Sequence, residues 1–459
     1  MPSTKLTRAY GSGVTGNRTK WTISGWYKLD KGAVASGERT MLGVHSNGSY
    51  FTSLAFLDDG RINFMDYYNN SINGRVRTNA LHRDVNGWYH VVGVFDKDNS
   101  TSGDRIRLWV NGVRITGSLA QYENMPSQAS TINSDSQTLE VGTLNNTSHF
   151  GGIMSHLHFC DGYAYDASYF GSTDSTTGEW KINTSPSVSY GTQGWFWLKD
   201  NNATTDNSPN SNTFTVSSGT LTKTENNPSN VFATLNPLTN QGSYTFEHGN
   251  NSLEGNNTNA WTKAIGSTLG ASSGKYYWEV RQVSGSHTDY NIFGFVKADK
   301  AMDTSANVYS SGNFNGVQSH SSTPSVYAQT GAYSGYLKIA GSHTAISNND
   351  VVSFALDLDN RKCWLAVNGV WVDDKNGNAN GSSINTSYPL WGTGEITADT
   401  VYMPCSIQYY DPKCQYNFGN GYFGTTVVSS EGTNASNNGI FEYNVPTGYT
   451  ALSTKGLNL

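Results

Sequence analysis

Charge is scarce in this sequence. Asp, Glu, Lys and Arg make up 14% of its 459 residues, where about 25% is ordinary for a soluble domain. The shortage does not signal disorder, which combines few aromatics with high net charge; 12 Trp, 27 Tyr and 18 Phe are present and the net charge is −6. With no excess of positive charge there is no basic stripe for a phosphate backbone, so nucleic acid is not an expected partner. No apolar run approaches the ~20 residues of a membrane helix, so membrane insertion is not expected either. The opening MPSTKLTRAYGSG lacks the apolar segment of a secretory leader. Cysteine is limited to Cys160, Cys363, Cys405 and Cys414, too few for a disulfide framework. Each falls in a strand-like apolar segment and is expected as a buried free thiol.

What is abundant is Gly, with 49 residues, together with Asn, Ser and Thr. These favour turns and loops over helix interiors, which makes an all-β composition. The length exceeds what one core usually serves, so two domains of about 200 residues are expected.

The pattern along the chain agrees. In WTISGWYKL, Trp21, Ile23, Tyr27 and Leu29 alternate with Thr22, Ser24 and Lys28, and Trp26 alone breaks the polar side. Period two over nine residues predicts a half-buried strand. MLGVHS, SYFTSLAFL and RINFMDYY follow, separated by Gly, Asn or Asp turns. One unit is written in each half: WYHVVGVFD, a turn, RIRLWV, Asn111-Gly112 and VRI, then DVVSFALDLD, a turn, KCWLAV, Asn368-Gly369 and VWV. Asn-Gly between strands is the strongest short hairpin signal, because a type I′ turn needs positive φ at both central residues. The chain therefore reads as two tandem antiparallel β-sandwiches, over 1–200 and 232–459. An Asn/Ser/Thr-rich connection, 201–231, holds one edge strand at Thr213 to Val216.

Several of these segments resemble known families. WTISGWYKL, GWYHVVGVFD, RIRLWVNGVRI, LEVGTLN and FGGIMSHLHFCDGYA resemble a laminin-G-like, concanavalin-A-like jelly roll. GKYYWEV, NDVVSFALDLDNRKCWLAVNGVW and MPCSIQYYDPKCQYNFGN resemble a SPRY (B30.2-like) domain. The joining stretches YGTQGWFWLKD, DNSPNSNTF and NPSNVFATLNPL and the C-terminal extension FEYNVPTGYTALSTKGL resemble those of bacteriophage tail-fibre-like virion proteins that pair the same two domains. The resemblance covers nearly the whole chain. It implies a virion protein without enzymatic activity, made in a bacterial cytoplasm and displayed on the particle. A tail fibre or spike component adhering to host-surface carbohydrate is the expectation. Such a component would be a homo-oligomer, such as a trimer, because multivalency turns weak sugar affinity into avidity. Two alternatives stay open: a capsid or tail decoration protein that binds other virion proteins, and a polysaccharide-degrading enzyme.

Formal catalytic matches fail on context. Gly11 to Gly16 fits G-x-G-x-x-G, and Gly270 to Gly274 fits the nucleophile elbow, but a strand rather than a helix follows each. The jelly-roll glucanase pattern E-x-D-x-x-E is absent from the sequence. His156, His158 and Cys160 share a face of one strand and could ligate zinc, though a satisfied polar sheet face is the favoured reading. Asp96, Asp98 and Ser100 begin like a calcium loop, but Thr101 replaces the sharp-turn Gly and Arg107 stands where a bidentate Glu belongs. No cofactor is expected beyond calcium, which laminin-G-like domains often bind.

Ligand binding is placed on aromatic rings, which stack on sugars, beside carboxylates and amides, which hydrogen-bond hydroxyls. Asp58, Asp59, Asp66, Tyr67, Tyr68, Asn69 and Asn70 cluster around one predicted hairpin. The competing reading is that Tyr67 and Tyr68 straddle a strand, one in and one out. In the SPRY-like half, Tyr409, Tyr410 and Asp411 lie in a candidate binding loop.

Overall fold

A computed structural model describes residues 4–13, 16–31, 38–199, 201–239, 244–256, 264–286, 288–301, 314–319, 325–328, 331–336, 338–339, 342–343, 346–372, 381 and 383–458. The chain forms two compact units. One comprises Met1–Leu29, Ala33–Lys223 and Asn227–Ser229; the other comprises Asp30–Gly32, Thr224–Asn226 and Asn230–Leu459.

The first unit packs two antiparallel sheets. The larger runs, in spatial order, Ala120–Glu123, Ser71–Thr78, Ile62–Tyr68, Tyr50–Phe56, Arg39–Asn47, Thr138–Val141, Lys5–Ala9 and Thr215–Ser218. The smaller runs Trp195–Trp197, Gly152–Asp161, Lys20–Leu29, Tyr89–Asp96, Ile106–Val110 and Val113–Arg114. Trp21, Ile23, Tyr27 and Leu29 enter the core between them, against Leu42, Val44, Leu54, Phe56 and Phe64. The alternation of WTISGWYKL thus faces the core as expected.

The polar side of that strand is not solvated, however. Lys20–Leu29 is buried on both faces, and Lys28 is fully buried. Residues from the 164–190 stretch fold over the outer face of the smaller sheet, where Ala167 and Phe170 join Val92, Val94, Trp109 and Cys160 in a second apolar cluster. Trp26 belongs to this layer: it stacks on His90 at 4.8 Å. His90 in turn accepts the indole N–H of Trp180 at 3.0 Å. The unexpected Trp26 is therefore explained by a second packed surface. Burial pushes the Lys28 ammonium down to about 8.

The expected connection 201–231 needs correcting. Up to Lys223 it belongs to the first unit. Thr215–Ser218 pairs antiparallel with Lys5–Ala9 as the sheet edge. Phe214 is buried against Trp195 and Trp197. The polar run before it is a turn organised by one carboxylate: Asp206 accepts the N–H groups of Phe196 (2.9 Å), Ser208 (2.9 Å) and Asn212 (2.6 Å). A stretch rich in Asn and Ser becomes ordered because its amides meet fixed backbone partners.

The second unit repeats the plan. One sheet runs Thr245–Glu247, Ser252–Glu254, Lys413–Asn417, Lys275–Ser284, Val351–Asp357, Lys362–Val367 and Val370–Trp371, and Thr450–Ala451 adds a parallel pairing to Lys275–Ser284. The other runs Ile265–Gly266, Tyr402–Tyr409, Tyr290–Lys297, Phe314–Gln318, Ser325–Ala328 and Gly331–Tyr336. Trp278, Phe354, Phe293, Phe295 and Trp391 fill the core. The C-terminal extension covers an outer face, where Phe441, Val445 and Tyr449 pack with Tyr277, Trp364 and Trp371.

Both Asn-Gly pairs make the expected turn, with φ of 47° and 77° at Asn111-Gly112 and 51° and 76° at Asn368-Gly369. All four cysteines are buried free thiols. The G-x-G-x-x-G match includes Val14 and Thr15, which lie outside the described residues.

Candidate functional site

The strands Ile62–Tyr68 and Ser71–Thr78 form a hairpin whose turn is Asn69-Asn70, at φ 47° and 63°. Asn tolerates this left-handed region better than other side chains, so the pair sets a tight, amide-rich tip. A shift in pairing register falls between Asp66 and Tyr67. Such irregularities re-aim side chains at sheet ends.

The two tyrosines do straddle the strand. Tyr67 stacks on Phe51 at 4.8 Å, while Tyr68 meets Tyr50 edge-on at 5.1 Å. Only Tyr68 joins Asn69, Ser71, Ile72, Asn73, Asn124, Met125, Ser127 and Gln128 around an open depression of about 400 Å³. Amide, hydroxyl and phenol groups dominate the lining, and none of these residues carries a charge at neutral pH. Such a surface suits a neutral, hydroxyl-bearing ligand, since amides both donate and accept.

Asp66 does not present itself to solvent; it is 1% exposed. Its carboxylate accepts the Thr52 hydroxyl at 2.6 Å and the Asn73 amide at 2.7 Å. Asn73 also accepts the N–H groups of Ser127 (3.0 Å) and Gln128 (3.1 Å). Asp66 is thus a buried strut that holds the far wall of the depression through Asn73, and its expected role as a direct ligand is corrected. The side chain points inward because its strand neighbours Phe64 and Ile62 do.

Burial pushes the Asp66 carboxyl up to about 6, although its hydrogen bonds work in the opposite direction. Because the folded value lies above the unfolded one (about 3.9), the native state holds the proton more tightly. Stability contributed by the neutral form is full below about pH 4 and is lost as pH rises through 6. Asp66→Asn, which cannot ionise, is expected to remove a loss on the order of 2 kcal/mol between pH 4 and 7. Urea denaturation of both proteins across that range checks it; identical slopes would refute the assignment.

The other expected residues separate. Asp58 and Asp59 occupy the turn at the opposite end of Ile62–Tyr68, roughly 20 Å away at about 3.3 Å per residue. Asp59 caps its own turn by accepting the Arg61 N–H at 2.9 Å. In the second unit, Tyr409 stacks on Tyr290 at 5.1 Å, and Tyr410 meets it edge-on at 4.4 Å with a positive φ of 61°. With exposed Asp411 these make a small aromatic rim at a hairpin end.

Two of the calcium candidates, Asp96 and Asp98, are engaged in ion pairs. Asp96 lies 3.5 Å from Lys20 and 3.3 Å from Arg107, and Asp98 pairs with Lys97. On the strand with the two histidines, His158 accepts from or donates to the Tyr190 hydroxyl at 2.9 Å, His156 pairs with Ser155 at 2.8 Å, and burial raises the Cys160 thiol. Among the described residues no group of three His, Cys, Asp or Glu is placed to hold a metal ion.

Sequence reasoning missed the far wall, Asn124 to Gln128, because about 50 residues separate it from the hairpin. One local signal was there: ENMPSQ is an amide and hydroxyl run around a proline.

Residues 8–164 match the family model Laminin_G_3, the Concanavalin A-like lectin/glucanases superfamily. The depression lies within this match. Among solved structures, the chain is similar to the SPRY domain of human HERC1 at 14% identity and TM-score 0.24, covering 36% of this chain and 87% of that one. It is similar to the SAP-like pentraxin from Limulus polyphemus at 14% and 0.25, covering 34% and 70%. Domains LG4-5 of the mouse laminin alpha1 chain are similar at 11% and 0.27, covering 88% and 84%. No curated protein matches the sequence.

Proposed function

We propose that this chain is a non-enzymatic virion adhesin of a bacteriophage, a tail-fibre or spike component whose first domain holds a host-surface glycan in the depression beside the Asn69-Asn70 turn. The observation that carries the reading is the lining itself: Tyr68 with amides and hydroxyls from two chain segments, in a domain matching the lectin/glucanase superfamily. The absence of a carboxylate from that lining favours binding over hydrolysis, which needs two flanking the scissile bond. Asp66 reaches the depression only through Asn73. Homo-oligomerisation, as a trimer, would supply the avidity that a shallow site lacks.

Tyr68→Ala/Gln128→Ala removes one ring and one amide from opposite walls without touching the Asp66–Asn73 strut. Fluorescently labelled full chain is expected to attach saturably to intact host cells, in competition with their surface polysaccharide. The double variant should bind at least tenfold more weakly, the loss of ~1.4 kcal/mol. Attachment only to particles lacking the chain would replace this reading with that of a decoration protein.

A further inference from the structure

Two exposed aromatic side chains of the first unit pack on the same ring. Tyr163 is 41% exposed and Tyr169 is 43% exposed; they are the exposed aromatics among the described large apolar residues. Both touch one ring, Tyr165. Tyr163 stacks on it at 5.6 Å with planes 10° apart, and Tyr169 leans on it at 4.6 Å. The three form a short aromatic step on the segment that covers the outer face of the smaller sheet, and none of them lines the depression.

The step is held in place from beneath. The Tyr165 hydroxyl accepts the Ser189 N–H at 3.0 Å, and its own N–H donates to Thr22 at 2.9 Å. Thr22 donates in turn to the Tyr163 carbonyl at 2.8 Å. The Tyr169 carbonyl accepts the Asn183 amide at 3.1 Å, and its neighbours Ala167 and Phe170 are buried in the apolar layer. A backbone tied down on both sides presents its rings with little freedom left to lose on binding.

The surroundings say what such rings would meet. No aliphatic residue between 162 and 191 is among the exposed large apolar side chains, whereas the core of a protein interface is apolar. Ser168, Ser172, Ser185 and Ser187 stand in the same stretch, whose carboxylates are Asp166, Glu179 and Asp174, the last paired with Lys181. Aromatic faces carry negative charge and attract the C–H face of a pyranose ring, whose hydrogens are weakly positive. The protein's net charge of −6 opposes an acidic polymer.

We infer that Tyr163, Tyr165 and Tyr169 form a second carbohydrate-binding surface, one that stacks on the pyranose faces of a neutral polysaccharide. It extends the adhesion reading above but uses different residues, so the two can fail separately. The test sets the full chain against an array of neutral glucans, mannans and galactans, with alginate and hyaluronan as acidic polymers. Binding to at least one neutral polymer is expected. Tyr163→Ser/Tyr169→Ser should weaken it about tenfold, while Tyr163→Phe/Tyr169→Phe, which keeps the rings, should retain it. The inference is overturned if the serine variant binds like the parent, if the phenylalanine variant falls as far, or if only acidic polymers or none are bound. It is also overturned if sedimentation shows that the serine variant turns an oligomer into a monomer, for then the step joins copies of the chain. Loss in Tyr68→Ala/Gln128→Ala with none in the serine variant would leave the adhesion reading standing and remove this one.

Discussion

Glu279→Ala is expected to loosen the C-terminal extension from the second domain, and to do so more severely at pH 5 than at pH 8. Glu279 is fully buried on the outer face of its sheet. It accepts the N–H groups of Glu442 and Tyr443, each at 2.9 Å, the Tyr277 hydroxyl at 3.0 Å and the Asn417 amide at 3.3 Å. Alanine leaves these donors without an acceptor, and each buried orphan costs about 1–3 kcal/mol. Water reaching the loosened edge offsets part of that, so a net loss of about 3 kcal/mol at pH 5 is expected.

The pH dependence follows from burial, which pushes the Glu279 carboxyl up to about 7 despite its hydrogen bonds. The native state therefore holds the proton more tightly than the unfolded chain, and the parent protein loses stability as pH rises from about 4.5 through 7. Alanine has no such proton to lose. Its deficit against the parent should shrink by on the order of 2 kcal/mol by pH 8. Urea denaturation at both values, with hydrogen exchange at the Glu442 and Tyr443 amides, reads both parts. An equal deficit at the two pH values, or unchanged protection of those amides, would contradict this account.

Asp206→Ala is the second large effect, and it concerns the first domain. Three backbone N–H groups and the Ser208 hydroxyl converge on this carboxylate. Asn210 and Asn212 extend the knot by donating to the Gly194 carbonyl at 2.9 and 2.8 Å, and Arg8 donates to Asn212 at 2.7 Å. Without the carboxylate the turn has no centre, and a loss of about 3 kcal/mol is expected from charge-assisted bonds. The segment through Thr215–Ser218 should then detach, uncovering Phe214 and the indoles of Trp195 and Trp197. New proteolytic cuts between 201 and 223, with a red shift of tryptophan emission, would report it. A cleavage pattern like the parent's would mean that the edge strand alone holds the segment.

Much of this architecture was legible in the residues. Trp21, Ile23, Tyr27 and Leu29 alternate because a half-buried strand has period two, and the core receives all four. The Asn111-Gly112 and Asn368-Gly369 turns were legible because positive φ is a local requirement with a local residue signature. The all-β class follows from the same short-range rules.

What the residues could not announce was decided by contacts between distant segments. WTISGWYKL reads as half solvated, yet the 164–190 stretch covers its polar face, and the covering pieces lie well over 100 residues downstream. Asp66 beside two tyrosines reads as a ligand, but direction along a strand fixes the side chain inward, and Thr52 and Asn73 were needed to show what it holds. The wall formed by Asn124 to Gln128 and the step formed by Tyr163, Tyr165 and Tyr169 share this origin. Periodicity tells which face of a strand is apolar, because that is a property of the local backbone. Which loop comes to lie over that face depends on how the whole chain closes, and no local pattern encodes it.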